Sequence, residues 1–322
     1  MSEQAHDRST IPTDGIVVGV DGSDPALCAL DWAAAEAKRR RVPLNIVTAY
    51  TIPVFAASSM DAGYATLDDQ VIRDGAEEVL RQARDRITDP GIEVRARVES
   101  GDPSGVLLDL SAEADLVVVG TRGRGGFVGR LLGSVSSALP AHAKCPSVVV
   151  PLCVRDRAEQ APGQRDIVVV GVDGSERARL AVLVAAEQAT ARGVPLRVVC
   201  ALPPLTGSLA WMPATVDQEA LTLDVRRQLR SGTRWLQSHF PDLVIESDVI
   251  DGPPIEVLIN ESSKASLLVT GSRGRGGFAG MLLGSTSQGV LHHSRGPVMV
   301  VPDRDDARLA NRPDFDDPAD TR

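Results

Sequence analysis

Aromatic side chains are scarce: five Phe, three Trp and two Tyr make up 3% of 322 residues. Cores must therefore be assembled from Val, Leu, Ile and Ala, within a hydrophobic fraction of 43%. Cysteine is equally rare. Cys28, Cys145, Cys153 and Cys200 show no CxxC or zinc-like spacing and are read as reduced small hydrophobes. No apolar run is long enough to cross a bilayer, and the opening MSEQAHDRSTIPTDG lacks the apolar stretch of a secretory signal. These absences point to a cytoplasmic protein with no membrane partner. Excess positive charge is also missing. A formal net charge of −9 and an isoelectric point of about 5.1 argue against nucleic acid or an anionic membrane as the partner of the whole surface.

What the chain does contain is a long internal repeat. IVVGVDGSDPA (Ile16–Ala26) answers to IVVVGVDGSERA (Ile167–Ala178), and DLVVVGTRGRGGF answers to SLLVTGSRGRGGF. The offset is 152 residues between Asp21 and Asp173 and 151 between Gly120 and Gly271. A period of that length is a whole domain rather than a solenoid unit. The expected organisation is a flexible N-terminus (1–15), a first domain (16–151), a polar linker (152–165), a second domain (166–302) and a disordered tail (303–322) rich in Asp, Arg and Pro.

Within each copy, strand and helix signals alternate. In the first, IVVGV is a short β-branched run. Ser23 or Asp24 caps a helix that begins with Pro25 and runs to about Arg40. LNIVTAY is a second strand, and a helix follows from about Thr66 to Ile87. IEVRARVE alternates as a strand with one wet face does, PSGVLLDLSAEA is a helix and DLVVVG a fully buried strand. A helix follows Ser134 and SVVVP closes the unit. This order makes the fold class α/β: two tandem doubly wound domains, each a five-stranded parallel sheet with helices on both faces. The continuous apolar strands 1 and 4 belong in the centre and the alternating strand 3 at an edge, which the order 3-2-1-4-5 satisfies. Winding then reverses between strands 1 and 4, and a crevice opens there at the carboxyl ends of the strands.

Both strand ends at that crevice carry unusual sequence. Strand 1 ends in GVD, and strand 4 runs into the glycine-arginine stretch. Glycine lets main-chain N–H groups approach an anion, and the helix N-terminus after Gly133 or Gly284 favours phosphate. The hydroxyls of Ser134 and Ser136 can donate as well. Neither GxxxxGK[ST] nor a GxGxxG after the first strand is present. The pattern is G-x2-G-x9-G-[ST]: Gly120, Gly123, Gly133 and Ser134, then Gly271, Gly274, Gly284 and Ser285.

With the VGVDGS strand, this spacing resembles the ATP-binding branch of the universal stress protein family, as two tandem modules over nearly the whole chain. The resemblance implies ATP as ligand. It places Asp21 or Asp173 against the adenosine, with Gly19 or Gly171 lining the same pocket, and puts backbone at Ala49 and Ala201 against adenine. It gives ribose and phosphates to Gly120, Thr121, Arg122, Gly123, Arg124, Gly125, Gly126, Gly133, Ser134 and Val135. In the second copy it assigns them to Gly271, Ser272, Arg273, Gly274, Arg275, Gly276, Gly277, Gly284, Ser285, Thr286 and Ser287. It also implies pairing of modules through strand 5, either within one chain or in a homodimer. On the residues alone, Asp21 and Asp173 could serve only as turn caps, and the four arginines only as a solvated loop face.

No repeated catalytic set is visible: no GxSxG elbow and no His, Cys or Glu metal cluster. His142 and His293 suit a helix C-terminus, and Pro140 should kink or shorten its helix. Mg²⁺ accompanying a triphosphate would be bound mostly by phosphate and water. The expected function is regulatory, nucleotide occupancy modulating conformation or partners in a stress response. A slow hydrolase or adenylate-transferring enzyme on the same fold is the alternative.

Overall fold

The computed structural model describes residues 12–51, 69–123, 132–152, 166–203, 218–274 and 283–310. In the first half, β1 (Ile16–Gly19), β2 (Leu44–Tyr50), β3 (Val94–Ser100), β4 (Leu116–Gly120) and β5 (Ser147–Val150) alternate with four helices. These are α1 (Asp24–Arg40), α2 (Asp69–Arg86), α3 (Pro103–Leu110) and α4 (Ser134–His142). The second half repeats the order: β6 (Val168–Val172), α5 (Glu176–Arg192), β7 (Leu196–Leu202), α6 (Gln218–His239), β8 (Ile245–Asp251), α7 (Pro254–Ser262), β9 (Leu267–Gly271), α8 (Ser285–His293) and β10 (Val298–Val301). A short α9 (Ala307–Ala310) follows.

The strands form one sheet of order β3-β2-β1-β4-β5-β10-β9-β6-β7-β8. Each half has the order 3-2-1-4-5, and neighbours within a half are parallel. The halves join through the antiparallel pair β5 and β10, with Val149 opposite Val298 and Ser147 opposite Val300. The pairing through strand 5 is thus made within one chain. Alternation along the strands sends Ile16 and Val18 to the α1, α2, α5 and α6 face and Val17 to the α3, α4, α7 and α8 face. Each face carries one core that runs across the seam, built from aliphatic residues and Ala. A fully buried Leu, Ile or Val contributes about 1.5–3 kcal/mol.

Local chemistry explains the helix starts that face the crevices. Ser23 caps α1, its Oγ accepting from Ala26 N–H, and Ser175 does the same for α5 through Ala178 N–H. Pro25 is therefore the second residue of α1 rather than the first.

Several expectations change. β3 does not alternate between a wet and a dry face: Val94 to Glu99 are all half-buried. Arg95 donates to Pro12 O and Asp14 Oδ1, and Arg97 to Thr13 Oγ1, so residues 12–14 roof its polar side. Residues 12–15, assigned to a flexible N-terminus, are thus tied down, with Thr13 4% exposed. At the other end, Asp303 pairs with Arg177 and Arg308 with Glu187. Pro140 does not shorten α4, which has nine residues like its match α8. Cys145 and Cys200 are buried thiols outside any disulfide, and burial pushes Cys145 up to about 12. Cys28 is disulfide-bonded, so the reduced reading fails there. Local spacing cannot reveal a bond to a residue distant in sequence. Among the described residues, no helix is long and apolar enough to cross a membrane.

Candidate functional site

Each half opens a cavity at the carboxyl ends of its two central strands, of about 520 Å³ in the first and about 200 Å³ in the second. The floor comes from β1 and β4, or β6 and β9. One side is the second strand of the half, at Ala49 or Ala201, and the other is the N-terminus of α4 or α8.

Asp21 hangs over the first cavity from a turn. Its Oδ1 accepts from Ser23 N–H (3.0 Å) and Ser23 Oγ–H (2.6 Å). Asp173 Oδ1 accepts from Ser175 N–H (2.9 Å). The turns need Gly22 and Gly174, whose φ values are 79° and 76°. The other carboxylate oxygen explains a glycine of the motif. A Cβ on Gly123 would lie 2.3 Å from Asp21 Oδ2, and one on Gly274 2.4 Å from Asp173 Oδ2. Glycine at these positions makes room for the carboxylate as well as exposing backbone. The aspartates both shape a turn and line a cavity.

The glycine stretch is closed at its base. Gly133 N–H donates to Thr121 O, and Gly284 N–H to Ser272 O. Ser136 Oγ donates to Thr121 O (2.8 Å) and Ser287 Oγ to Gly271 O (2.7 Å). These two hydroxyls therefore brace the loop, which corrects the expectation that Ser136 is free to donate to a ligand. Gly133 and Gly284 are the N-caps of α4 and α8, and neither helix has a side-chain cap. The first-turn N–H groups of both helices are left for whatever enters the cavity. Ser134 and Ser285 stand exposed at the helix starts.

Of the residues expected at the first site, Gly19, Asp21, Ala49, Gly120, Arg122, Gly123, Gly133, Ser134 and Val135 line one cavity. At the second, Gly171, Asp173, Ala201, Gly271, Arg273, Gly274, Gly284, Ser285, Thr286 and Ser287 line the other. Thr121 and Ser272 sit behind their loops as carbonyl acceptors. Arg124, Gly125, Gly126, Arg275, Gly276 and Gly277 lie outside the described residues. Reading motifs missed the apolar walls. Leu107 packs so closely on Gly19 that a Cβ there would lie 2.7 Å from Leu107 Cδ1, and Leu258 does the same at Gly171. Val47, Pro103 and Leu132, matched by Val199, Pro254 and Leu283, complete the walls. Their one sequence signal was recurrence at matched positions of the repeat.

A duplicated α/β module, with an acidic turn and a bare helix terminus facing one crevice, defines the class of protein. The family model described as the universal stress protein family matches residues 13–151 and 164–302. Universal stress protein Rv2623 of Mycobacterium tuberculosis (strain ATCC 25618 / H37Rv) is 36% identical over 303 residues, covering 89% of this chain and 95% of the relative. Universal stress protein Rv2005c of the same strain is 34% identical over 289 residues, covering 89% and 96%. A universal stress protein structure from Archaeoglobus fulgidus DSM 4304 superposes with a TM-score of 0.65 at 21% identity, covering 91% of this chain and 98% of that one. The chain belongs to the universal stress protein family, in a tandem form.

Proposed function

We propose that each half binds one adenine nucleotide, ATP in the first instance, and that occupancy regulates the protein's conformation or partners in the cytoplasm. One observation carries this reading. Among the described residues the two cavities are lined by seventeen matched positions, and fifteen of the pairs are identical. Packing alone tolerates swaps of similar volume. Elsewhere the halves use that freedom: Cys28, Trp32 and Glu36 match Leu180, Val184 and Gln188. Near-complete identity along a crevice wall, polar and glycine positions included, suits a ligand shared by the two halves.

The chemistry of the wall suits a nucleotide. Val47, Leu107 and Leu132, or their matches, give the base an apolar slot. The uncapped termini of α4 and α8 present N–H groups and a positive dipole end to phosphates. Arg122 and Arg273 stand beside them, and Arg273 Nε is buried with no hydrogen-bond partner among the described residues. A buried donor of this kind is costly unless a ligand meets it. Among the described residues no group of three or more His, Cys, Asp or Glu could hold a metal. Mg²⁺ would therefore reach the site on the triphosphate, held by phosphate oxygens and water, with Asp21 or Asp173 at hand. Differential scanning fluorimetry with ATP, ADP and AMP tests the reading. Ligand at about 100 Kd should stabilise by about 2.7 kcal/mol, several degrees in Tm for a module of this size. The Asp21→Ala, Asp173→Ala double variant should lose most of that shift. Absence of a shift with all three nucleotides would overturn the proposal.

A further inference from the structure

The two pairs that break the identity of the cavity walls are both Val in the first half and Thr in the second: Val119 against Thr270, and Val135 against Thr286. Thr270 lies near the end of β9, one residue before Gly271. It is 4% exposed, and its Oγ1 has no hydrogen-bond partner among the described residues. Its strand neighbour on β10 is Val300, and Leu268, two residues earlier, belongs to the apolar core of the α7 and α8 face. A buried hydroxyl in such surroundings is unfavourable unless it is satisfied. Val119 shows that the same fold accepts a side chain of the same shape without the hydroxyl. Thr270 thus gives up stability that valine would supply, and it does so at a cavity wall. Of the buried side-chain atoms without a partner, Thr270 Oγ1 and Arg273 Nε belong to residues that line this cavity.

We propose that Thr270 is a specificity residue which hydrogen-bonds the sugar hydroxyls of the nucleotide in the second site, so that the two sites differ in sugar preference. The inference rests on the nucleotide reading above. The position follows from the order of the wall. Phosphates belong at the N-terminus of α8 and the base belongs towards Ala201 on β7. Between them lie Gly171 of β6 and Thr270 of β9, the place of the sugar. In the first site Val119 offers that sugar only an apolar surface.

Isothermal titration of the intact protein with ATP, 2′-deoxy-ATP and 3′-deoxy-ATP tests this. In the wild type, one of two classes of site should lose about five- to tenfold in affinity with at least one deoxy analogue, the worth of one neutral hydrogen bond. Thr270→Val should abolish that discrimination while raising the Tm of the ligand-free protein. Val119→Thr should confer discrimination on the other site. Both changes keep side-chain shape, so loss of folding does not obscure the result. If ATP binds at two sites but the deoxy ratios are the same in the wild type and Thr270→Val, the specificity role is wrong and the nucleotide reading stands. If no nucleotide binds either site, the nucleotide reading itself fails.

Discussion

The two halves agree in their crevices and differ where α1 meets α5, and on the nucleotide reading the contrast separates what a ligand would ask of the chain from what assembly asks. Around the cavities, matched residues are nearly all the same. Where α1 and α5 meet across the seam, they are not. Glu36 is fully buried and takes Arg39, Arg40 and, from the other half, Arg192. Its match in the second half is Gln188, whose side chain accepts from Arg192. The Arg192 guanidinium also lies over the Trp32 ring, 5.6 Å from its centroid. Burial pushes Arg192 down to about 10, against the pull of Glu36, so the cation depends on that carboxylate. Two identical halves would set like groups against each other at this contact. Glu on one side and Gln on the other suit the halves to each other within one chain.

The largest effect should come from breaking that contact. Glu36→Ala leaves three guanidinium groups without their carboxylate, one of them buried, and should cost about 3–5 kcal/mol. Gln188→Ala should cost about 1 kcal/mol. Urea denaturation of both variants measures the difference, and equal losses would remove the asymmetry from the account. A smaller effect separates two matched glycines. A Cβ on Gly120 would meet Pro25 C and O at 2.6 Å and Ala26 N at 2.9 Å, all backbone, whereas at Gly271 the nearest atom is 3.4 Å away. Gly120→Ala should therefore destabilise by about 1–3 kcal/mol and Gly271→Ala should be close to neutral, as hydrogen exchange resolved by half will show.

Gly123→Ala and Gly274→Ala test what the halves share. Each should displace its aspartate and weaken nucleotide binding on the order of tenfold at its own site alone, with little loss of stability. Titration calorimetry that finds both sites weakened by one change would contradict independent Asp–Gly pairs. The smallest effect concerns α9, which follows β10. The Arg308 hydrogen bond holds the Asp306 carboxyl at about 2, below its ordinary 3.8. A lowered carboxylate pKa stabilises above the ordinary value and is lost as pH falls through the folded one. Amide protection at residues 307–310 should therefore decline between about pH 4 and pH 2.

Much of this architecture was legible before any coordinates. The repeat defined two modules, strand periodicity gave their order, and the G-x2-G-x9-G-[ST] spacing placed a loop at the crevice. Those readings rest on local patterns, because a side chain's face follows from its position along its own strand or helix. The expected β3 surface failed because its cover, Thr13 and Asp14, lies about eighty residues away in sequence. Ser136 looked like a ligand donor because its acceptor, Thr121 O, lies across the loop.

Sequence alone determined that the chain is a pair of doubly wound modules with a glycine loop at each switch of winding. Tertiary structure alone decided that β5 and β10 weld them into a single sheet, that Gly123 and Gly274 yield space to a carboxylate, and that the Thr270 hydroxyl is buried without a partner among the described residues. Hydrophobic period and turn chemistry act between near neighbours and are written in order along the chain. Contacts between residues a hundred positions apart exist only once the sheet has closed around them.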